Sequence, residues 1–145
     1  MKKRNLSATK QIHKFYLEKL RNPRIKKIYL EFEKSLEKYN SSKFSIAVSG
    51  GVDSMALVFL AKCHSIKKKL NHLYFSVDHK LRKSSTKEAI QTKKQLKKYG
   101  IICDILTWRN NKTSSNIQAK ARKKRYELIF KKCLKNKVNL VLTAH

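Results

Sequence analysis

Ser49-Gly50-Gly51-Val52-Asp53-Ser54 is the stretch whose reading decides the fold. Before it runs Phe44-Ser45-Ile46-Ala47-Val48, short and apolar, which predicts a buried strand. After it runs Met55-Ala56-Leu57-Val58-Phe59-Leu60-Ala61, which predicts a helix buried on more than one face. Strand, glycine turn and helix together make an anion site. Two glycines let the backbone approach a phosphate closely. The helix start offers unpaired N–H groups and a partial positive charge. Ser49 and Ser54 add hydroxyls. Asp53 fits beside a phosphate when a cation such as magnesium lies between them; its other reading is as a helix cap. No Lys-Ser or Lys-Thr follows the last glycine, which excludes a Walker loop, and adjacent glycines without a third exclude the dinucleotide fingerprint. On the glycines alone, a simple capped turn remains the alternative.

Outward from this stretch the rhythm is regular. The strand over 44–48 leads to a helix over 53–66, and 67–69 is a charged connection. A second strand covers 72–77. A helix covers 84–99, with Ala89, Thr92, Leu96 and Tyr99 on one face and Gly100 as its stop. A third strand covers 101–106, a polar loop 110–115, a helix 116–135 and a fourth strand 138–143. On the last helix Tyr126, Ile129, Phe130 and Cys133 form the expected buried face. The alternation predicts an α/β, Rossmann-like parallel sheet with helices on both faces and strand order 3-2-1-4. Ligands bind such sheets at the strand ends, in the crevice between strands one and four. Ser49 and His145 are expected to line it together.

Residues 1–43 read as a basic helical N-terminal extension, ahead of a nucleotide-binding domain over 44–145. Ile12, Phe15, Tyr16 and Leu20 form one apolar set, interrupted at Asn22-Pro23. Ile28, Phe32, Leu36 and Tyr39 form another. The expectation is that these helices pack on the sheet edge or stand out as an arm.

The 145 residues suit one domain, and 41% hydrophobic content supports a core. No apolar run spans a membrane and no signal core follows the basic N-terminus, so the cytoplasm is the default. Cys63, Cys103 and Cys133 lie far apart, without a Cys-x-x-Cys, and are expected to be small core residues. The net charge of +27 points to an anionic partner, nucleic acid first. The competing source is compositional bias, because of the 36 basic residues only seven are arginine.

Two further motifs carry chemistry. Val77-Asp78-His79-Lys80-Leu81-Arg82 brings Asp78 and His79 to the rim that holds Ser49. A carboxylate there can hold a ribose hydroxyl or an adenine edge, and Arg82 can reach phosphate or RNA. In Asn116-Ile117-Gln118-Ala119-Lys120-Ala121-Arg122-Lys123-Lys124-Arg125-Tyr126, Gln118, Arg122 and Arg125 share one helix face. Guanidinium groups on one stripe suit a developing phosphoryl charge, though an exposed basic helix carries the same pattern. The chain then reaches Thr143-Ala144-His145, the end of the fourth strand.

The Ser-Gly-Gly-x-Asp-Ser stretch resembles the PP-loop of the ATP pyrophosphatase superfamily, which has an adenine nucleotide alpha-hydrolase-like fold. With the Asp78–Arg82 and Asn116–Tyr126 motifs and Thr143-Ala144-His145, residues 44–145 resemble the N-terminal catalytic domain of tRNA(Ile)-lysidine synthetases. The resemblance implies a ligase that adenylates the wobble cytidine of tRNA(Ile) with a CAU anticodon, using ATP and Mg2+. Lysine then displaces AMP to give lysidine, and codon reading changes from AUG to AUA. It implies that Ser49, Gly50, Gly51, Val52, Asp53 and Ser54 hold pyrophosphate and that Asp53 meets the metal. Asp78 and His79 would line the nucleotide pocket. Arg122 would be the catalytic arginine with Arg125 as its support, and His145 would join the catalytic set. In that family the motif at His145 continues into acidic residues and tRNA-binding domains, so a fragment is expected. A PP-loop tRNA thiolation enzyme and a basic RNA-binding module without catalysis are the alternatives.

Overall fold

The computed structural model describes residues 2–109 and 115–144, with side chains from Ser7 onward. The elements are α1 (Lys2–Lys19), α2 (Pro23–Leu36), β1 (Ser45–Ala47), α3 (Val52–Lys68), β2 (Leu73–Asp78), α4 (Ser85–Lys98), β3 (Cys103–Thr107), α5 (Ile117–Lys135) and β4 (Val141–Leu142). The strands form one sheet in the order β3-β2-β1-β4, and every pairing is parallel. The α/β sheet read from the sequence is therefore the one observed. Ile46 stands beside Tyr74 and Leu142, which fixes the register at the centre.

Side chains alternate across the sheet, so each face has its own core. Ile46, Val48 and Tyr74 meet Val58 and Ala61 of α3 and Leu96 of α4. Ala47, Phe75 and Val141 meet Ile129 and Cys133 of α5. The chain steps outward from β1 to β3 and then returns to β4, so right-handed crossovers put α3 and α4 on one face and α5 on the other.

The helix α3 is apolar on two faces because it is covered on two faces. Its second face meets α1 and α2, where Tyr16, Tyr29 and Cys63 are buried together. The N-terminal helices thus pack chiefly on α3 and do not stand out as an arm, and Leu36 and Phe32 of α2 also reach the sheet cluster that holds Phe44 and Ile46. Tyr16 donates its hydroxyl to Tyr99 O at 3.0 Å. Asn22 caps α2 by accepting from the Arg24 and Ile25 N–H groups, with Pro23 at the first helical position. The buried side of α2 is Tyr29 and Leu36, with Phe32 partly covered; Ile28 and Tyr39 face solvent. Tyr29 takes the buried place beside Phe32 and Leu36 because its ring finds Cys63 and Phe32 while its hydroxyl reaches Glu33. On α5 the face is shifted likewise: Phe130 is half exposed, while Ile129 and Cys133 are buried.

Strands β3 and β4 start later than their apolar runs suggest. Gly100 is left-handed (φ 72°), and Ile101 N–H returns to Leu96 O at 3.1 Å. Lys137 is left-handed (φ 55°), and Val138 N–H returns to Cys133 O at 3.0 Å. Both are helix C-caps in which the residue after the turn packs back on the helix. Ile101 and Val138 belong to the caps and not to the strands. Cys63, Cys103 and Cys133 are buried free thiols, and burial pushes Cys63 up to about 12. Among the described residues, no helix is long and apolar enough to cross a membrane.

Candidate active site

The glycine turn sits where β1 ends and α3 begins. Gly51 occupies the N-cap position and offers no side-chain cap, so the first amides of α3 stay available to an anion. Asp53 lies in the first turn, exposed, and is not the cap. Gly50 has φ 86°, and a Cβ there would lie 2.8 Å from Thr92 Oγ1 on α4. Only glycine fits that position.

Ser54 is the centre of the turn and not a free hydroxyl. It is 2% exposed. Its Oγ accepts from Ser49 N–H at 3.3 Å and Gly50 N–H at 3.2 Å, and donates to Gly51 O at 3.0 Å. The Ser49 hydroxyl donates to Ser54 Oγ at 3.0 Å. The turn is thus shaped before any ligand arrives.

The turn opens on a cleft of about 200 Å3 at the carboxyl ends of β1, β2 and β4. Ser49, Ser54, His79, Arg82, Arg125 and Thr143 are among its lining residues. This is the crevice between β1 and β4 where the strand order reverses. Ala144 lines it too; His145 lies outside the described residues, as do 110–114 of the expected polar loop.

Asp78 is buried, at 2% exposure. Its Oδ1 accepts from Lys80 N–H at 2.9 Å and its Oδ2 from the Thr86 hydroxyl at 2.6 Å. Each oxygen thus accepts one hydrogen bond that shapes the turn from β2 into α4. His79, the next residue, does line the cleft. Arg125 reaches it from α5 on the other side, with Nε and Nη2 at 3.3 and 3.2 Å from His79 Nε2. Burial, and then the Arg125 guanidinium, holds the His79 imidazole below its ordinary pKa, against a smaller upward pull from Asp78. Arg82 is exposed and pairs with Glu88 at 3.2 Å. Gln118 and Arg122 are exposed, so of the two arginines it is Arg125 that lines the cleft.

The sequence reading passed over Thr92, Ser85 and Ser76, all of which line the cleft. Thr92 carried a signal: it is the one short hydroxyl side chain on the stripe of Ala89, Leu96 and Tyr99. Among the described residues no cluster of three or more His, Cys, Asp and Glu could hold a metal by itself. A single exposed carboxylate beside an anion turn still fits magnesium, which binds through one or two carboxylates plus substrate phosphates.

Comparison with known proteins agrees with this geometry. A family model described as a PP-loop domain matches residues 22–145. The tRNA(Ile)-lysidine synthase of Rickettsia bellii is 35% identical over 122 residues, covering 81% of this chain and 28% of the relative. That of Rickettsia typhi is 36% identical over 127 residues, with the same two shares. The chain thus spans between a quarter and a third of the length of these curated relatives. Among solved structures, a U34-tRNA thiolase of Methanococcus maripaludis has a TM-score of 0.61 at 17% identity, over 71% of this chain and 38% of that one. At that identity the likeness concerns the fold. Turn, strand order and family match converge: the chain belongs to the PP-loop domain family.

Proposed function

We propose that this chain is the ATP-binding part of a tRNA(Ile)-lysidine synthase. The observation that carries the reading is the uncapped α3 N-terminus behind Gly50 and Gly51, opening on a cleft that holds a guanidinium. The α3 amides and Ser49 bind the pyrophosphate part of ATP. Asp53 would hold magnesium, and the metal would supply charge neutralisation for the leaving pyrophosphate. Arg125 faces the α-phosphate, where charge develops as the cytidine carbonyl oxygen attacks. Arg122, on the exposed rim of the same helix, meets the tRNA backbone. The +27 charge supports an RNA partner, and the relatives' names point to tRNA(Ile) as that partner. Lysine, as a neutral amine, then displaces AMP.

The test is ATP–pyrophosphate exchange with magnesium, tRNA(Ile) bearing CAU, and lysine. Exchange that depends on the tRNA supports adenylation of the base. ATP binding without any tRNA-dependent exchange would contradict this assignment. Tight RNA binding with no response to ATP would favour a plain RNA-binding module.

A further inference from the structure

We infer that His79 is a positioning residue that holds the Arg125 guanidinium in the cleft with its charge unspent. The inference takes the identity of the incoming anion from the function proposed above, but its structural part stands without it.

A guanidinium has only donors. Two of its nitrogens, Nε and Nη2, approach the same atom, His79 Nε2. That atom must therefore be the bare, accepting nitrogen, and a neutral imidazole then carries its proton on Nδ1. His79 Nδ1 is buried and has no partner among the described residues. An orphaned buried donor is unfavourable, so the tautomer is set by the arginine and not by local satisfaction of the ring. The Trp108 ring meets His79 edge-on, at 6.3 Å and 90°, and braces it.

The choice of a neutral acceptor matters. Arginine usually pairs with a carboxylate, which would cancel its charge. A carboxylate is adjacent, at Asp78, but both its oxygens are engaged by Lys80 N–H and Thr86. Arg125 is thus fixed in direction by a group that leaves it fully cationic. The groups around His79 are Arg125 from α5, Asp78 from β2 and the Trp108 ring after β3; among the described residues no ion pair joins a carboxylate to Arg125, and the Asp78 oxygens bond to Lys80 N–H and Thr86.

The experiment is a double-mutant cycle read by MgATP affinity, beside nitrogen-15 NMR of the histidines. His79→Leu removes the acceptor and should weaken MgATP about tenfold, while His79→Gln, whose amide oxygen can accept, should stay within about threefold. In an Arg125→Met background His79→Leu should change nothing further. In the ligand-free chain, NMR should find His79 protonated on Nδ1 and bare on Nε2, and Arg125→Met should bring its titration up toward the ordinary value. An equal loss from His79→Leu with and without Arg125 would overturn the proposal, because His79 would then touch the ligand itself. A proton on Nε2 would overturn it as well. If no variant, nor the parent chain, binds MgATP, the proposed function fails, and the NMR result alone decides the role of His79.

Discussion

Thr92 fills the space where a side chain on Gly50 would begin: a Cβ at Gly50 would come within 2.8 Å of the threonine hydroxyl. The glycine is also left-handed, at φ 86°. Gly50→Ala therefore meets two obstacles. The backbone penalty is about 1–2 kcal/mol, and the contact pushes the turn off α4. The expected outcome is a lower Tm and loss of MgATP binding. Adding Thr92→Ala should recover part of the Tm, since it removes the contact but not the backbone penalty. Thermal scans and calorimetric titration of the two variants read this out.

Ser54 ties the turn together from inside. Ser54→Ala strands the two amides it accepts from and should destabilise the chain by about 1–3 kcal/mol. Ser49→Ala removes an exposed hydroxyl and should cost under ~1 kcal/mol, yet it takes away a ligand donor. Urea denaturation beside MgATP titration separates the two: Ser54→Ala should move both readouts, and Ser49→Ala chiefly the second.

Asp78 makes a similar contrast. If its work is to shape the turn into α4, Asp78→Asn should be mild, because the amide oxygen still accepts from Lys80 N–H and the amide nitrogen can donate to Thr86. Asp78→Ala and Thr86→Val should each cost about 1–3 kcal/mol. Equal loss of nucleotide affinity in Asp78→Asn and Asp78→Ala, at unchanged stability, would show instead that the carboxylate meets the ligand.

A buried histidine pair makes stability depend on pH. Phe44 N–H donates to His72 Nδ1 at 3.4 Å, and His72 stacks on the Phe44 ring. His72 Nε2–H then donates to His64 Nδ1 at 3.0 Å. Burial holds both imidazoles below their ordinary value, His72 at about 3. A lowered histidine pKa means that the unfolded chain binds the proton first. Stability is therefore full above the ordinary value of 6.5 and falls as pH drops from there toward 3. The slope is at most about 1.4 kcal/mol per pH unit for each proton. His72→Asn, which keeps an acceptor for Phe44 N–H, should flatten the acid limb of a pH–stability curve by about one proton.

Much of the fold was legible because one signal repeats. Apolar strand runs alternate with helices, and the handedness rule leaves few ways to connect them, so the order β3-β2-β1-β4 followed. The double burial of α3 was visible in its unbroken apolar run. Ile101 and Val138 misled, because an apolar residue after a helix stop looks the same whether it starts a strand or folds back over a cap. Sequence chose the residue types at the site but not which atoms remain free. Ser54 and Asp78 both carry the right groups, and both also use them to bond within the protein. Arg122 and Arg125 are equivalent by type, and only the packing of α5 beside His79 separates them.

The most direct test of the central claim is equilibrium titration of the chain with MgATP, by calorimetry and by fluorescence of its single tryptophan. Trp108 packs on His79 at the cleft wall, so occupancy of the cleft should change its emission. The expected result is one saturable site that requires magnesium, is displaced by pyrophosphate and is lost in Gly50→Ala. Absence of saturation, or binding that survives unchanged in Gly50→Ala, would contradict the assignment of this turn as the phosphate site.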